Sequence, residues 1–416
     1  MKLGKYSFGV GDRFGHQGKA QLKALLKARN LGIELIPVWN KSFREHQIIG
    51  TQPDAVREEA DESIIALGYT GAYYVDADHI NLSTVDGFLK ASDFFTLDVA
   101  GFIGKNSEEG DGQEKAAGMQ VLKKLGNKVE IEGLPEPIVL SDEFLSEFLD
   151  MYYNAIVAAS DLYKYINTAK GADNVIPEVS MDEVENPQSP KELLLILALL
   201  ADFKVPVQTI APKFSGRFNK GVDYVGDVDQ FRAEFEADLL VIKYSIEKFN
   251  LPENLKLSIH SGSDKFTIYP IMGELIRKHD MGIHVKTAGT TWLEEVIGLS
   301  LAGEESLKLV KELYKGAIGR QEELCRPYAD VIDIDSTKLP ADIDDWSGEK
   351  IADTLRHVPD NPAYNNSMRQ LIHVGYKLAA EKGDSYLQLL KDNEDIIGQQ
   401  VEENIYDRHI TRLFEL

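Results

Sequence analysis

The stretch 256-KLSIHSGSDKF-266, followed after a helix-like connector by 282-GIHVKTAG-289, decides how the fold is read. Each half is a short apolar run that ends in chemically capable residues: His260, Asp264 and Lys265 in the first, His284 and Lys286 in the second. In a parallel α/β barrel the active site lies at the carboxyl ends of the strands, on the loops leading to the following helices. The fold assignment therefore depends on whether other strands end the same way.

Outward from this stretch, short β-rich runs alternate with longer amphipathic ones over roughly the first 300 residues, as repeated βα units do. The predicted strands are 6-YSFGVG-11, 33-IELIPV-38, 71-GAYYVD-76, 94-FFTLDV-99, 174-NVIPEVS-180, 206-PVQTIA-211, 255-LKLSIH-260 and 282-GIHVKT-287. Helix signals fall between them, at 17–30, 54–67 and 264–279 among others. Ser189-Pro190-Lys191-Glu192 has an N-cap serine, a proline at the first helical position and a glutamate three beyond the cap; such a cap is worth about 1 kcal/mol. Thr291 with Glu294 repeats the spacing. Eight strands each followed by a helix predict an α/β fold, a closed (β/α)8 TIM-like barrel over residues 1–302, rather than an open doubly wound sheet. After strand four, residues 104–140 read as an insertion beside the mouth with the character of a lid, before a long helix over about 142–168. Residues 303–416 read as a mostly helical extension packed on the barrel.

Composition narrows the function. A chain of 416 residues that is 43% hydrophobic can bury a sizeable core. A net charge of −23, with clusters such as 57-REEADE-62 and 108-EEGDG-112, argues against nucleic acid and anionic membranes as partners. Those clusters read as solvated helix faces and loop. The single cysteine, Cys325, excludes an intramolecular disulfide and suits a reducing compartment. The N-terminus lacks a signal-peptide apolar region, and the longest apolar run, Leu193 to Ala201, is under half a membrane span. A soluble, cytoplasmic protein is expected.

The strand ends collect polar groups on one rim: Asp12 and Arg13; Trp39, Asn40 and Lys41; Asp76, Asp78 and His79; Asp98; Glu178, Asp182 and Glu183; Lys213, Arg217 and, a little beyond, Asp223; then the opening set. Imidazoles and carboxylates converging there are what a divalent metal takes as ligands, with His79 and His260 foremost. Asp78 and Glu183 are candidate general acid and base groups. Ordinary helix capping is the competing reading for the aspartates, Asp12 and Asp98 above all, and Arg13 would then pair with a carboxylate. Lys213, Arg217, Lys265 and Lys286 make the mouth locally positive, which suits an anionic or polyhydroxylated substrate. Lys286 could form a Schiff base with a ketone or simply a salt bridge. The glycines of GVGDRFG miss the dinucleotide-loop spacing, and no phosphate-loop, H-E-x-x-H or C-x-x-C motif occurs.

Taken together, 9-GVGDRFG-15, 76-DADH-79, 178-EVSMDE-183, 211-APKFSGRFNKGVDYVGD-227, 257-LSIHSGSDKF-266 with Tyr269-Pro270, 284-HVKTAGT-290 and 369-RQLIHV-374 resemble the tagaturonate epimerase family, which includes D-tagatose 4-epimerases. Two departures accompany the likeness: this chain begins almost at strand one, and 104–140 has no obvious counterpart. The resemblance implies metal-dependent epimerisation at C4 of a ketohexose or keto-uronate, tagatose/fructose or tagaturonate/fructuronate. With the carbonyl at C2 the C4 proton is not acidic, so two routes remain: transient oxidation by a nucleotide cofactor, or retro-aldol cleavage and re-addition. The absence of a dinucleotide fingerprint favours the second and makes NAD unexpected. Under this reading His79, His260 and Asp182 hold Zn, Mn, Ni or Co, with Asp223 and His284 in reserve. Asp78 and Glu183 move protons, and Asp12, Arg13, Lys213, Arg217, Asp223, Lys265, His284 and Lys286 contact substrate. A metal-dependent aldolase that releases its fragments is the alternative, a noncatalytic sugar-acid sensor a more distant one. A homo-oligomer is compatible with either.

Overall fold

The computed structural model describes residues 1–105, 111–358 and 360–416. Among them, eight parallel strands close into a barrel in chain order: β1 (Tyr6–Val10), β2 (Leu35–Ser42), β3 (Tyr74–Ile80), β4 (Phe94–Asp98), β5 (Ile176–Ser180), β6 (Thr209–Ala211), β7 (Lys256–Ile259) and β8 (Ile283–Lys286). Closure is through β8 against β1, with Tyr6 opposite Ile283 and Gly9 opposite Lys286. All eight predicted strands are present.

Two of them run further than their apolar patterns. Instead of stopping at Val38 and Asp76, β2 continues to Ser42 and β3 to Ile80, pairing Asn40 with Asp76, Lys41 with Ala77 and Ser42 with Asp78. Polar residues carry the ladder there because the upper barrel is lined by groups that satisfy one another, so the backbone stays extended after the hydrophobic signal has ended. Below them, Leu3, Ile36, Val38, Tyr74, Phe94 and Ile176 form a separate buried apolar cluster that floors the barrel.

The helix predicted over 54–67 is Asp54–Leu67, ended by Gly68 in the left-handed conformation. Ser189 and Glu192 form the reciprocal capping box, with Glu192 Oε2 accepting from the Ser189 backbone N–H at 2.7 Å. The second predicted box fails. Thr291 is already inside its helix, where its hydroxyl accepts from Gln21, and the fully buried Glu294 pairs with Arg369 at 3.4 Å and Arg408 at 3.5 Å. Tertiary ion pairs have claimed the carboxylate that the local spacing assigned to a cap. The helix expected over 264–279 is shorter, Tyr269–Lys278, since Ser261 and Asp264 take positive φ and hold the preceding loop out of it.

Of the stretch 104–140, residues 106–110 lie outside the described set, including 108–110 of the acidic cluster. The rest forms a helix, Asp111–Lys123, and an antiparallel ribbon pairing Lys128–Val129 with Ile138–Val139. Leu122, Val129, Ile131, Ile138 and Leu140 are buried, and the helix lies against helices Asp142–Lys170 and Pro190–Asp202 in the outer layer.

The C-terminal helices lie close on the last barrel helices. A Cβ on Gly273 would stand 1.9 Å from the Leu413 carbonyl oxygen, and one on Gly298 would stand 2.7 Å from the Ile397 Cα, so both contacts require glycine. No helix of the described residues is long and apolar enough to cross a membrane.

Candidate active site

Side chains alternate along a strand, so the residues two above the apolar floor also face inward. Tyr74, Phe94 and Ile176 of the floor are therefore followed by Asp76, Thr96 and Glu178, and these by Asp78, Asp98 and Ser180 at the mouth. His284 and Lys286 enter from β8. The interior thus changes from hydrocarbon to charge within one strand length.

Lys286 Nζ is the hub of the charged layer. It lies 2.8 Å from Asp76 Oδ2, 2.8 Å from Asp78 Oδ1, 3.0 Å from Glu178 Oε1 and 2.6 Å from Thr96 Oγ1. Burial opposes the ammonium, but Asp76, Asp78 and Glu178 outweigh it and hold the lysine well above its usual pKa. A Schiff base needs the free amine, so this arrangement makes Lys286 a fixed counter-charge and not a nucleophile. The carboxylates around it diverge. Burial, only partly offset by Lys286, pushes Asp76 up to about 7. Burial also acts on Asp78, but Lys286, His79 and His260 together overcome it and hold that carboxyl down to about 2. Against burial, Lys286 and His260 likewise keep Glu178 well below the normal range.

Above the hub sit two imidazoles with ring centres 4.9 Å apart, crossed at 75°. His260 Nε2 is 2.7 Å from Glu178 Oε1, and its Nδ1 is 3.2 Å from Asp182 Oδ1, which Ser180 Oγ also holds at 2.6 Å. His79 Nδ1 lies 3.5 Å from Asp98. It owes its place to a backbone irregularity: φ is +51° at His79, and the register of β3 against β4 shifts between Ala77 and Ile80. A non-glycine residue in that region is strained by about 1–3 kcal/mol, and such strain concentrates at functional sites. Burial disfavours the imidazolium, yet Asp78, Asp98 and Asp182 push His79 up to about 10. His260 is raised too, Asp182 and Glu178 prevailing over burial.

This donor set fits a divalent cation. His79, Asp182 and His260 each present one ligand atom, all within 4.8 Å of one another, and His79, Asp98 and Glu183 form a second such group sharing His79. Among the described residues, His79 Nδ1 and His260 Nδ1 are buried without a hydrogen bond. Two imidazole nitrogens and a carboxylate oxygen leave coordination positions open, as catalytic sites do.

The other sequence candidates lie elsewhere around this cluster. His284 is fully buried deeper in the barrel, its Nδ1 2.9 Å from Ser7 Oγ and its ring against Phe94, and burial pulls its pKa down to about 3. Asp12 accepts from the backbone N–H groups of Phe14, His16 and Gln17, which is the capping role. Lys265 is sealed in, donating to the carbonyls of Asn219, Val222 and Ser263. Arg217 is about half exposed and pairs with Asp333 at 3.0 Å. Asp223 accepts from Thr267 and its neighbour Tyr224, and Lys213 stands half-buried on the loop after β6. Arg13 lies between Glu45, 3.3 Å away, and the Gly289 carbonyl, 2.9 Å away. Thr96, which bonds both Asp76 and Glu178, is missed by sequence reasoning. Its signal is the inward alternation Phe94–Thr96–Asp98, hidden in a run read as uniformly apolar.

A model of the tagaturonate epimerase family matches residues 1–413. The chain belongs to the tagaturonate epimerase family. It is an epimerase, and thus an isomerase. It is 29% identical over 421 residues to the tagaturonate/fructuronate epimerase of Thermotoga maritima, covering 98% of this chain and 80% of that one. Crystal structures of the fructuronate-tagaturonate epimerase of Cohnella laeviribosi superimpose with TM-scores of 0.82 for a two-glycerol complex and 0.81 for the native protein, at 25% and 26% identity, covering 99% of this chain and 82% of that one. The tagaturonate epimerase barrel and its C-terminal helices are thus shared over nearly the whole length.

Proposed function

We propose that this epimerase interconverts tagaturonate and fructuronate by breaking and re-forming the C3–C4 bond, counting the ketone carbon as C2. The observation that supports it is the position of His79, Asp182 and His260 directly beside the ionised Asp78 and above the Lys286 layer. The names of the relatives supply the substrate pair.

In this reading Asp78, ionised at neutral pH, takes the proton of the C4 hydroxyl. The C3–C4 bond then breaks, its electron pair passing to C3–C2 and the C2 oxygen as an enediolate, while C4 becomes an aldehyde. Rotation about C4–C5 presents the other aldehyde face to C3. The bond re-forms, Glu183, grouped with His79 and Asp98 at the same rim, returns a proton to the C4 oxygen, and exchange with water then takes the proton from Asp78 and restores the one on Glu183. His79, Asp182 and His260 would hold a divalent cation, which would supply positive charge to stabilise the enediolate. Lys286 fixes Asp78 for its task, and the buried walls keep the aldehyde from water.

The test is turnover in ordinary water with substrate bearing deuterium at C4. Carbon-bond cleavage leaves that deuterium in place and shows no primary isotope effect. Washout would indicate deprotonation at C4, and a large primary effect would indicate hydride transfer. In parallel, His79→Ala and His260→Ala should each lower bound transition metal by elemental analysis and reduce kcat at least about 100-fold while circular dichroism is retained. Full activity in metal-stripped protein would overturn the metal assignment.

A further inference from the structure

Beside the ligand cluster, on the side of β7 and β8, lies a group of cations that the reading above leaves without a task. His373, on helix Asn366–Val374, is 2% exposed, yet neither ring nitrogen has a hydrogen bond to the described residues. Buried polar atoms in native proteins nearly always have a partner, so an imidazole with two orphaned nitrogens calls for one from outside. The ring lies between two glycines. A Cβ on Gly289 would stand 3.5 Å from His373 Nε2 and 3.7 Å from Arg13 Nη2; one on Gly221 would stand 3.3 Å from His373 Nδ1. The absent side chain of Gly289 thus lets its backbone come up against an imidazole, whose Cε1 would stand 3.1 Å from a Cβ there, and a guanidinium.

The charges there do not cancel. Arg369 is answered by Asp264 at 3.1 Å and Glu294 at 3.4 Å, and Arg13 has Glu45 at 3.3 Å. Lys220, next to Gly221, makes no ion pair among the described residues; its Nζ donates to Ser261 Oγ at 2.8 Å. Ser261 directly follows the ligand candidate His260, so this free cation stands one residue from the reacting end. Burial first, and then Arg13, Lys220 and Arg369 around it, keep His373 well below its usual pKa and so neutral. The helix Thr291–Leu301 starts from the same loop and turns its positive end this way. Loops after the seventh and eighth strands are a common anion seat in such barrels.

We propose that Lys220, His373 and Arg13 seat the substrate's terminal carboxylate, and that this seat makes the enzyme selective for keto-uronates over neutral ketoses. The inference rests on the epimerase reading for its substrate. A carboxylate there meets the ammonium of Lys220, which has no ion pair among the described residues, an imidazole N–H and the Arg13 guanidinium, which lies over the Tyr376 ring at 4.2 Å.

The test compares tagaturonate with tagatose, the ketose that carries CH₂OH in place of the carboxylate, in wild type, Lys220→Met, Lys220→Arg and His373→Asn. The ratio of kcat/KM on tagaturonate to that on tagatose should fall about 10- to 100-fold in Lys220→Met and in His373→Asn, through KM, and return most of the way in Lys220→Arg. Equal losses on both sugars, or an unchanged ratio, would overturn the seat. Calorimetric titration of both sugars reads the same preference as binding, and thermal melts separate it from misfolding. Failure of the epimerase reading shows differently, as wild type that binds tagaturonate but leaves its configuration unchanged. In that event a preference for tagaturonate lost in Lys220→Met still supports the seat, and equal binding of both sugars by wild type refutes it.

Discussion

Lys286→Met removes one charge and keeps most of the packed stem. Its Nζ stands 2.8–3.0 Å from oxygens of Asp76, Asp78 and Glu178, all nearly or wholly enclosed. Removing one partner of a buried ion pair costs about 3–5 kcal/mol, because the remaining charge stays buried and uncompensated. The pH dependence makes the expectation specific. In the wild type Asp78 is held down to about 2, below its unfolded value of about 4, so it stabilises the fold above pH 4 and that contribution is lost as pH falls toward 2. Asp76 behaves oppositely: burial already holds it at about 7, and without Lys286 its folded pKa rises further above the unfolded one. The sign reverses: the variant is then penalised at high pH and relieved as protons bind. The stability gap to wild type should therefore be greatest near pH 8 and close by about 1.4 kcal/mol per pH unit for each carboxyl that takes up a proton on acidification. Urea unfolding at pH 8, 7, 6 and 5 measures it. A gap that is independent of pH, or that widens on acidification, would refute the hub assignment.

Two further outcomes follow from particular contacts. His409 is fixed as a neutral tautomer, Nδ1 donating to the Asn404 carbonyl at 2.7 Å and Nε2 accepting from the Asp264 N–H at 3.0 Å, and burial pulls it down to about 4. Below pH 6.5 the unfolded chain binds a proton that the native state refuses, so stability drops as pH falls from 6.5 to about 4. His409→Asn should remove about one proton, or about 1.4 kcal/mol per pH unit, from that slope in urea titrations, and an unchanged slope would count against it. Gly273→Ala sets a methyl group 1.9 Å from the Leu413 carbonyl oxygen, so the C-terminal helix must move. A loss of about 1–3 kcal/mol, read by thermal unfolding, is expected; a wild-type melting temperature would show that this contact is loose.

The candidate ligands are legible because each stands at the end of an apolar run: His79 after 71-GAYYVD-76, His260 closing 255-LKLSIH-260, and Asp182 just past Ser180. Charge and strand position suffice to bring them to one rim. Lys286 is legible as a rim cation but not as the centre of three carboxylates, since its partners come from β3 and β5, more than a hundred residues away. Asp12 and Lys265 are misleading for the opposite reason: their strand-end positions are right, but nearby backbone N–H and C=O groups absorb them. His373 carries no local signal beyond its motif, since only the packing of a C-terminal helix over the β8 loop brings it beside Gly289.

The sequence by itself determined the barrel, its strand count and the identity of the rim, because apolar periodicity and the residue types that end each strand are local properties. Tertiary structure alone decided which ionisable groups share a charge, which are consumed by capping, and which of them, His373 foremost, are left without a hydrogen-bond partner among the described residues. Protonation depends on burial and on the neighbours within a few ångströms, and closing the barrel brings together neighbours that the chain keeps far apart.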